Sequence, residues 1–147
     1  MIQSILCAID ISQPGAERGI LQAAYRWSQM EEAALGLVTV VPDFRFSVVG
    51  SYFSDDHTAK VVSDTRDALH KLTEEVLGAE ASAGIRHVVA VGSVYEEILK
   101  TARAARADMI VIGAHKPDLK DYLLGPNAAR VARHAECSVY VFRGNGA

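Results

Sequence analysis

Cysteine is scarce in this chain: there are two, Cys7 and Cys137, too far apart to form a CxxC pair. Neither a disulfide-stapled scaffold nor a zinc ribbon fits that usage, and both thiols read as small buried groups in a reducing compartment. The five histidines, His57, His70, His87, His115 and His134, are scattered along the chain. None shows ligand spacing such as HExxH, so no metal ligand set is expected. Long apolar runs are missing, which leaves no candidate for a membrane-spanning helix. Met1-Ile2-Gln3-Ser4 enters a strand directly, without the shape of a signal peptide, so the expected location is cytoplasmic. An excess of positive charge is lacking as well: 15 basic residues face 18 acidic ones, for a net charge of −3. Nucleic acid and membrane are therefore not expected as partners, although helix ends and loop amides can still attract a small phosphorylated ligand.

Several motifs are absent. There is no GxxxxGK[ST] phosphate loop and no GxGxxG. No Ser or Cys sits in a nucleophile elbow, and no pair of carboxylates stands out as acid and base. The expected catalytic set is therefore none. Repeats, low-complexity tracts and Pro/Ser-rich linkers are also lacking. With 147 residues, half of them hydrophobic and 22% charged, the composition is that of one globular domain over 1–147, large enough to bury a full core.

What is present is a regular alternation. Five short runs rich in Val and Ile read as strands: Ser4–Asp10, Leu35–Val41, Ile85–Val91, Met109–Gly113 and Ser138–Phe142. They lack strict alternation, which suits a parallel sheet buried on both faces. Four helical patterns lie between them. Ile20, Ala23, Trp27 and Met30 mark the first, with Pro14 at its expected start. Thr65, Leu69, Leu72 and Val76 mark the second. Ser93-Val94-Tyr95-Glu96 opens the third with a capping-box pattern, followed by Leu99 and Ala102. The fourth starts near Gly125, with Leu124, Ala128, Val131 and Ala135 on one side. The expected fold is thus a three-layer α/β domain with an open parallel sheet of five strands. Ligands of such sheets bind beyond the strand carboxyl ends, where strand order reverses. Those ends here are Asp10, Val41, Val91–Gly92 and Gly113.

The segment Pro42–His57 breaks the rhythm and holds Phe44, Phe46, Tyr52 and Phe53. It reads equally as a functional loop and as an aromatic cover over a bare core edge.

Chemistry concentrates in the last third. Ile110-Val111-Ile112-Gly113-Ala114-His115 is an apolar strand ending in glycine, and Leu123-Leu124-Gly125-Pro126-Asn127 opens a helix. Such an arrangement aims backbone amides and a helix dipole at one spot, where anions and phosphates bind. Turn chemistry alone explains Gly113 and Gly125, which by themselves are a weak signal, and the ordinary make-up of a surface loop is the more common reason for His115 and Lys116. Asp10 can accept from ribose hydroxyls or hold a metal ion beside phosphates, but capping the first helix, by Asp10 or Ser12, is the more ordinary role.

Over essentially its whole length the chain resembles the universal stress protein family. Ser4-Ile5-Leu6-Cys7-Ala8-Ile9-Asp10-Ile11-Ser12 is similar to that family's opening strand, and Asp108–His115 to its fourth. Leu123-Leu124-Gly125 followed by Arg133-His134-Ala135-Glu136-Cys137-Ser138-Val139 is similar to its closing helix and strand. The resemblance implies the adenine-nucleotide α-hydrolase-like sheet order 3-2-1-4-5 and a homodimer, paired through the last strand, Ser138–Phe142. It also implies a bound ATP or other adenine nucleotide, with Mg²⁺. Ala8 and Asp10 match the family's first-strand contacts and Val40 its adenine-side contact. Gly113 and Gly125 match the first and third glycines of Gly-x2-Gly-x9-Gly-Ser/Thr, and His115, Lys116, Pro126 and Asn127 fall within or beside that signature. Two positions depart from it. Lys116-Pro117 stands where the middle glycine belongs, in a loop one residue shorter. Pro126 replaces the usual Ser or Thr, removing a hydroxyl and an N–H from the phosphate cradle.

Three functions follow as expectations. The first is a dimeric stress-response regulator that binds adenine nucleotide. The second is an interaction module of the same fold that has lost the nucleotide and contacts an unidentified protein. The third is slow ATP hydrolysis, with Asp10 and His115 as the best available pair.

Overall fold

The computed structural model describes residues 1–42, 55–114 and 126–144. Its elements run β1 (Ser4–Ala8), α1 (Pro14–Glu31), β2 (Ala34–Val41), α2 (Asp55–Leu77), α3 (Ala79–Ala83), β3 (Arg86–Val91), α4 (Val94–Ala104), β4 (Met109–Gly113), α5 (Pro126–His134) and β5 (Ser138–Phe142). The strands form one parallel sheet in the order β3-β2-β1-β4-β5. This is the order 3-2-1-4-5, flanked by helices on both faces.

Strand periodicity sorts the core into two layers. Ile5, Cys7, Leu35, Leu37, Met109 and Val111 pack against Ile20, Leu21 and Ala24 of α1 and Leu69 and Leu72 of α2. Their alternates Leu6, Ala8, Val38, Ile110 and Ile112 pack against Ile98, Leu99 and Ala102 of α4 and Ala128 and Val131 of α5. The central strands β1 and β4 are buried on both faces, while β3 and β5, at the sheet edges, are half-exposed.

Three local expectations shift. The buried stripe of α1 is Ile20, Leu21, Ala24 and Ser28, whereas Met30 is 69% exposed. Ser28 tolerates burial because its hydroxyl donates to the Tyr25 carbonyl at 2.7 Å. Trp27 sits at the margin of that stripe, edge-on to Tyr140 of β5 with ring centroids 5.7 Å apart. Ser93 precedes α4 in an extended conformation, but its hydroxyl makes no capping bond. Glu96, the other half of the expected capping box, instead accepts from the Tyr95 hydroxyl at 3.3 Å. Finally, α3 was not expected from the sequence. Gly78, at φ +94°, ends α2 and restarts the chain into this single turn, which is too short to display an apolar period.

The start of β1 is held by a side chain. Asp108 Oδ2 accepts the amides of Gln3 and Ser4 at 2.8 and 3.0 Å, clasping β1 to the entrance of β4. Asp108→Ala is expected to lower stability by about 1 kcal/mol, since solvent partly replaces the lost bonds. The urea midpoint at pH 7 measures this, and an unchanged midpoint counts against the clasp.

Candidate functional site

The site begins with sheet register. Ala8 is level with Val38, and Cys7 with Val111, so Asp10 projects beyond the sheet near Val40, and Ile9 lies level with Gly113. Ala8 is buried and Val40 half-buried, and both belong to the layer that α4 and α5 cover. On one side of β1 the chain proceeds to β2 and β3, on the other to β4 and β5. Strand order therefore reverses between β1 and β4, and a crevice is expected at their carboxyl ends.

Asp10 does not cap α1. Its Oδ1 accepts the Ser12 amide at 3.0 Å and the Ser12 hydroxyl at 2.5 Å, while its carbonyl accepts the Gln13 amide at 3.1 Å. The N-cap is Gln13, which makes no side-chain capping bond, and Pro14 opens the helix as expected. The Asp–Ser pair thus closes a local turn and fixes the carboxylate at the mouth of β1. Among the described residues Oδ2 accepts no protein hydrogen bond, leaving it open to a ligand hydroxyl.

Gly113 lacks a side chain for a reason within the fold. A Cβ there would meet Ile20 Cδ1 at 2.5 Å, so the glycine lets α1 approach β4 closely. The next residue, Ala114, donates its amide to the Phe142 carbonyl at 2.9 Å. Helix α5 starts at Pro126, which is exposed; Asn127 is half-buried and Ala128 fastens the first turn to the core. The first amides of a helix have no intrahelical acceptor, and proline removes one of them. Gly125, His115 and Lys116 lie outside the described residues, as does positions 43–54 of the aromatic segment.

The sequence reading missed Glu17. Its carboxyl is largely buried, Oε2 has no hydrogen-bond partner, and its pKa is pushed up to about 7. Burial is the main cause; the Asp10 backbone donor opposes it, and the Asp10 charge adds to it. Glu17 also raises the pKa of the fully buried Cys7 thiol, itself elevated chiefly by desolvation. The signal was available: residue 17 extends the 20/21–24–28 stripe backwards by one turn, placing an acid on the buried face of α1.

Among the described residues no helix is long and apolar enough to cross a membrane. A group of three or more His, Cys, Asp and Glu side chains able to hold a metal ion is also absent among them.

The model of the universal stress protein family matches residues 1–143. Universal stress protein G of Shigella flexneri is 42% identical over 59 residues, which is 40% of this chain and 42% of that protein. Universal stress protein G of Escherichia coli O157:H7 gives the same figures. The matched stretch thus spans well under half the length of these curated relatives. Among solved structures, hypothetical protein MJ0577 superposes with a TM-score of 0.78 at 21% identity, covering 100% of this chain and 99% of that one. Universal stress protein UspA from Lactobacillus plantarum gives 0.74 at 23% identity, covering 97% and 98%. A universal stress protein in complex with cAMP gives 0.69 at 20% identity, covering 96% and 97%. At these identities the structural likeness establishes the fold.

Proposed function

The chain belongs to the universal stress protein family, and from that premise we propose a homodimeric stress-response regulator that binds adenine nucleotide, ATP or ADP, at the strand carboxyl ends. The observation that supports the reading is sheet register, by which Ala8, Asp10 and Val40 share the carboxyl ends of β1 and β2 beside the reversal of strand order. Ala128 of α5 lies in the same packed cluster as Ala8 and Val40. A solved protein of the same fold is a complex with cAMP, which supports an adenine nucleotide as the ligand class.

In this reading Ala8 and Val40 flank the base and Asp10 accepts from the ribose. Gly113, His115, Lys116, Gly125, Pro126 and Asn127 line the phosphates, with Mg²⁺ beside them. The donor set fits: small and apolar residues stand near the base, a free carboxylate oxygen near the sugar, and helix-start amides near the phosphates. Pro126 withholds one amide, and Asn127 supplies its own. In this reading the nucleotide serves as a ligand, with slow hydrolysis as the upper limit of turnover. The domain spans 1–147 and acts in the cytoplasm. Dimerisation through β5 covers the half-exposed Val139, Tyr140, Val141 and Phe142, removing a hazardous open edge.

Calorimetry with ATP and Mg²⁺ tests the reading. Wild-type protein is expected to bind, and Asp10→Ala to bind about tenfold more weakly through loss of a charge-assisted bond. Absence of binding at millimolar ATP sinks it. The second reading, an interaction module that has lost the nucleotide, is favoured by Pro126 alone. It predicts protein purified without nucleotide, as read by denaturing it and chromatographing the supernatant.

A further inference from the structure

Helix α5 carries Arg130, Arg133 and His134 and no acidic residue. Spacings of three and four put these side chains on one face, where like charges repel. The C-terminal dipole accounts for Arg133 and His134, which lie in the last turn. It does not account for Arg130, one turn earlier. Among the described residues no carboxylate lies in ion-pair range of Arg130 or Arg133. The nearby ion pair joins Arg103 of α4 to Glu136 at 3.8 Å.

These cations surround a hollow. Arg130 Cζ stands 5.2 Å over the Tyr95 ring, and Tyr95 in turn lies 6.3 Å from His134, tilted by 33°. The ring face thereby attracts the Arg130 guanidinium. The cavity between α4 and α5 measures about 310 Å³ and is lined by Tyr95, Ala129, Arg130, Arg133 and His134. None of these is among the residues assigned above to the nucleotide.

We propose that this groove between α4 and α5 is a separate binding site for a small phosphate monoester. A terminal phosphoryl group offers three strong acceptor oxygens and nearly two negative charges. It would meet two guanidinium forks and an imidazole while relieving the repulsion along α5. The hollow is half-open to solvent, so a phosphoryl group can seat against the cations while its ester substituent projects outward. An extended acidic peptide is a poorer match, because the donors converge on one hollow instead of lining a strip. Ala129, small and exposed, adds little bulk to the lining.

The test uses the full chain and phenyl phosphate as probe, titrated at low salt and pH 7 by calorimetry and by NMR of amide and arginine side-chain signals. Saturable binding is expected, with shifts at Ala129, Arg130 and Arg133 and weakening as salt rises. The double variant Arg130→Gln, Arg133→Gln is expected to weaken binding about tenfold or more. Ala129→Glu, which places a carboxylate in the hollow at an exposed helical position, should do the same without removing any cation. Both variants should keep wild-type thermal melts and wild-type ATP affinity, and benzoate should bind about tenfold more weakly than phenyl phosphate. The proposal is overturned by a lack of saturable binding, by equal binding of benzoate, by full affinity in Ala129→Glu, or by displacement of the probe with saturating ATP. If ATP itself does not bind, the nucleotide reading fails while the groove is still judged on phenyl phosphate.

Discussion

Glu17→Gln is expected to stabilise the protein by up to about 3 kcal/mol at pH 8 and to flatten its pH dependence between pH 5 and 8. The carboxyl has an ordinary value of 4.5 and is raised to about 7 in the folded chain. At about 1.36 kcal/mol per pKa unit, that gap corresponds to about 3 kcal/mol. The sign follows from proton counting. Between pH 4.5 and 7 the native state holds a proton that the unfolded chain has released, so native stability falls as pH rises through this window. Below 4.5 both states are protonated and the contribution is fully present; above 7 both are ionised and it is lost. Glutamine stays neutral throughout and keeps an acceptor for the Asp10 backbone, while its NH2 takes the unpartnered Oε2 position and offsets part of the gain. Urea denaturation of both proteins at pH 5 and pH 8 provides the comparison. Parallel pH profiles for wild type and variant would show that water reaches Glu17 and that its burial is not felt.

Glu17 also shows where sequence reading reached and where it stopped. Strand positions, sheet class and the placement of Pro14 were legible because they depend on local signals: β-branched runs, apolar spacing and the fixed φ of proline. The face that α1 buries was harder to read. Ile20, Ala23, Trp27 and Met30 form as regular a series as Ile20, Leu21, Ala24 and Ser28, and the choice rests on what lies opposite. The neighbouring strands decide it: close packing at Gly113 admits Ile20, and Tyr140 holds Trp27 at the edge. Once α1 is rotated accordingly, Glu17 falls inward, and an ionisable group enters the core beside Asp10 and Cys7.

The candidate site divided along the same line. Ala8, Asp10 and Val40 are close in space because parallel register aligns β1 with β2, and the family resemblance picked them out. Asp10 departs from the capping role its position suggests and closes a turn with Ser12 instead. A hydroxyl two residues away competes for the same carboxylate oxygen, and the shorter connection wins. Gly113 was read as making room for a ligand; the structure adds a packing reason, the approach of Ile20. The groove at Tyr95 escaped the sequence reading because its residues come from α4 and α5, more than thirty positions apart.

Pro126→Ser is expected to raise ATP affinity about ten- to a hundredfold for each charge-assisted bond restored to phosphate. Pro126 occupies the first position of α5, where its missing N–H does no harm to the helix itself. A phosphate seated there is affected differently, because the first-turn amides are the natural donors to an anion. Serine restores one amide and adds a hydroxyl, and Ala128 continues to anchor the turn. The exchange costs about 0.4–1 kcal/mol of stability, because serine leaves the unfolded chain more freedom. A slightly lower melting temperature without ligand should therefore accompany a larger ligand-induced rise. Calorimetry and melting with and without ATP–Mg²⁺ separate the two effects. Equal affinity in variant and wild type would mean that the phosphates do not reach the start of α5. Full compensation by Asn127 gives a different pattern, in which Pro126→Ser changes little but Asn127→Ala sharply weakens wild-type binding.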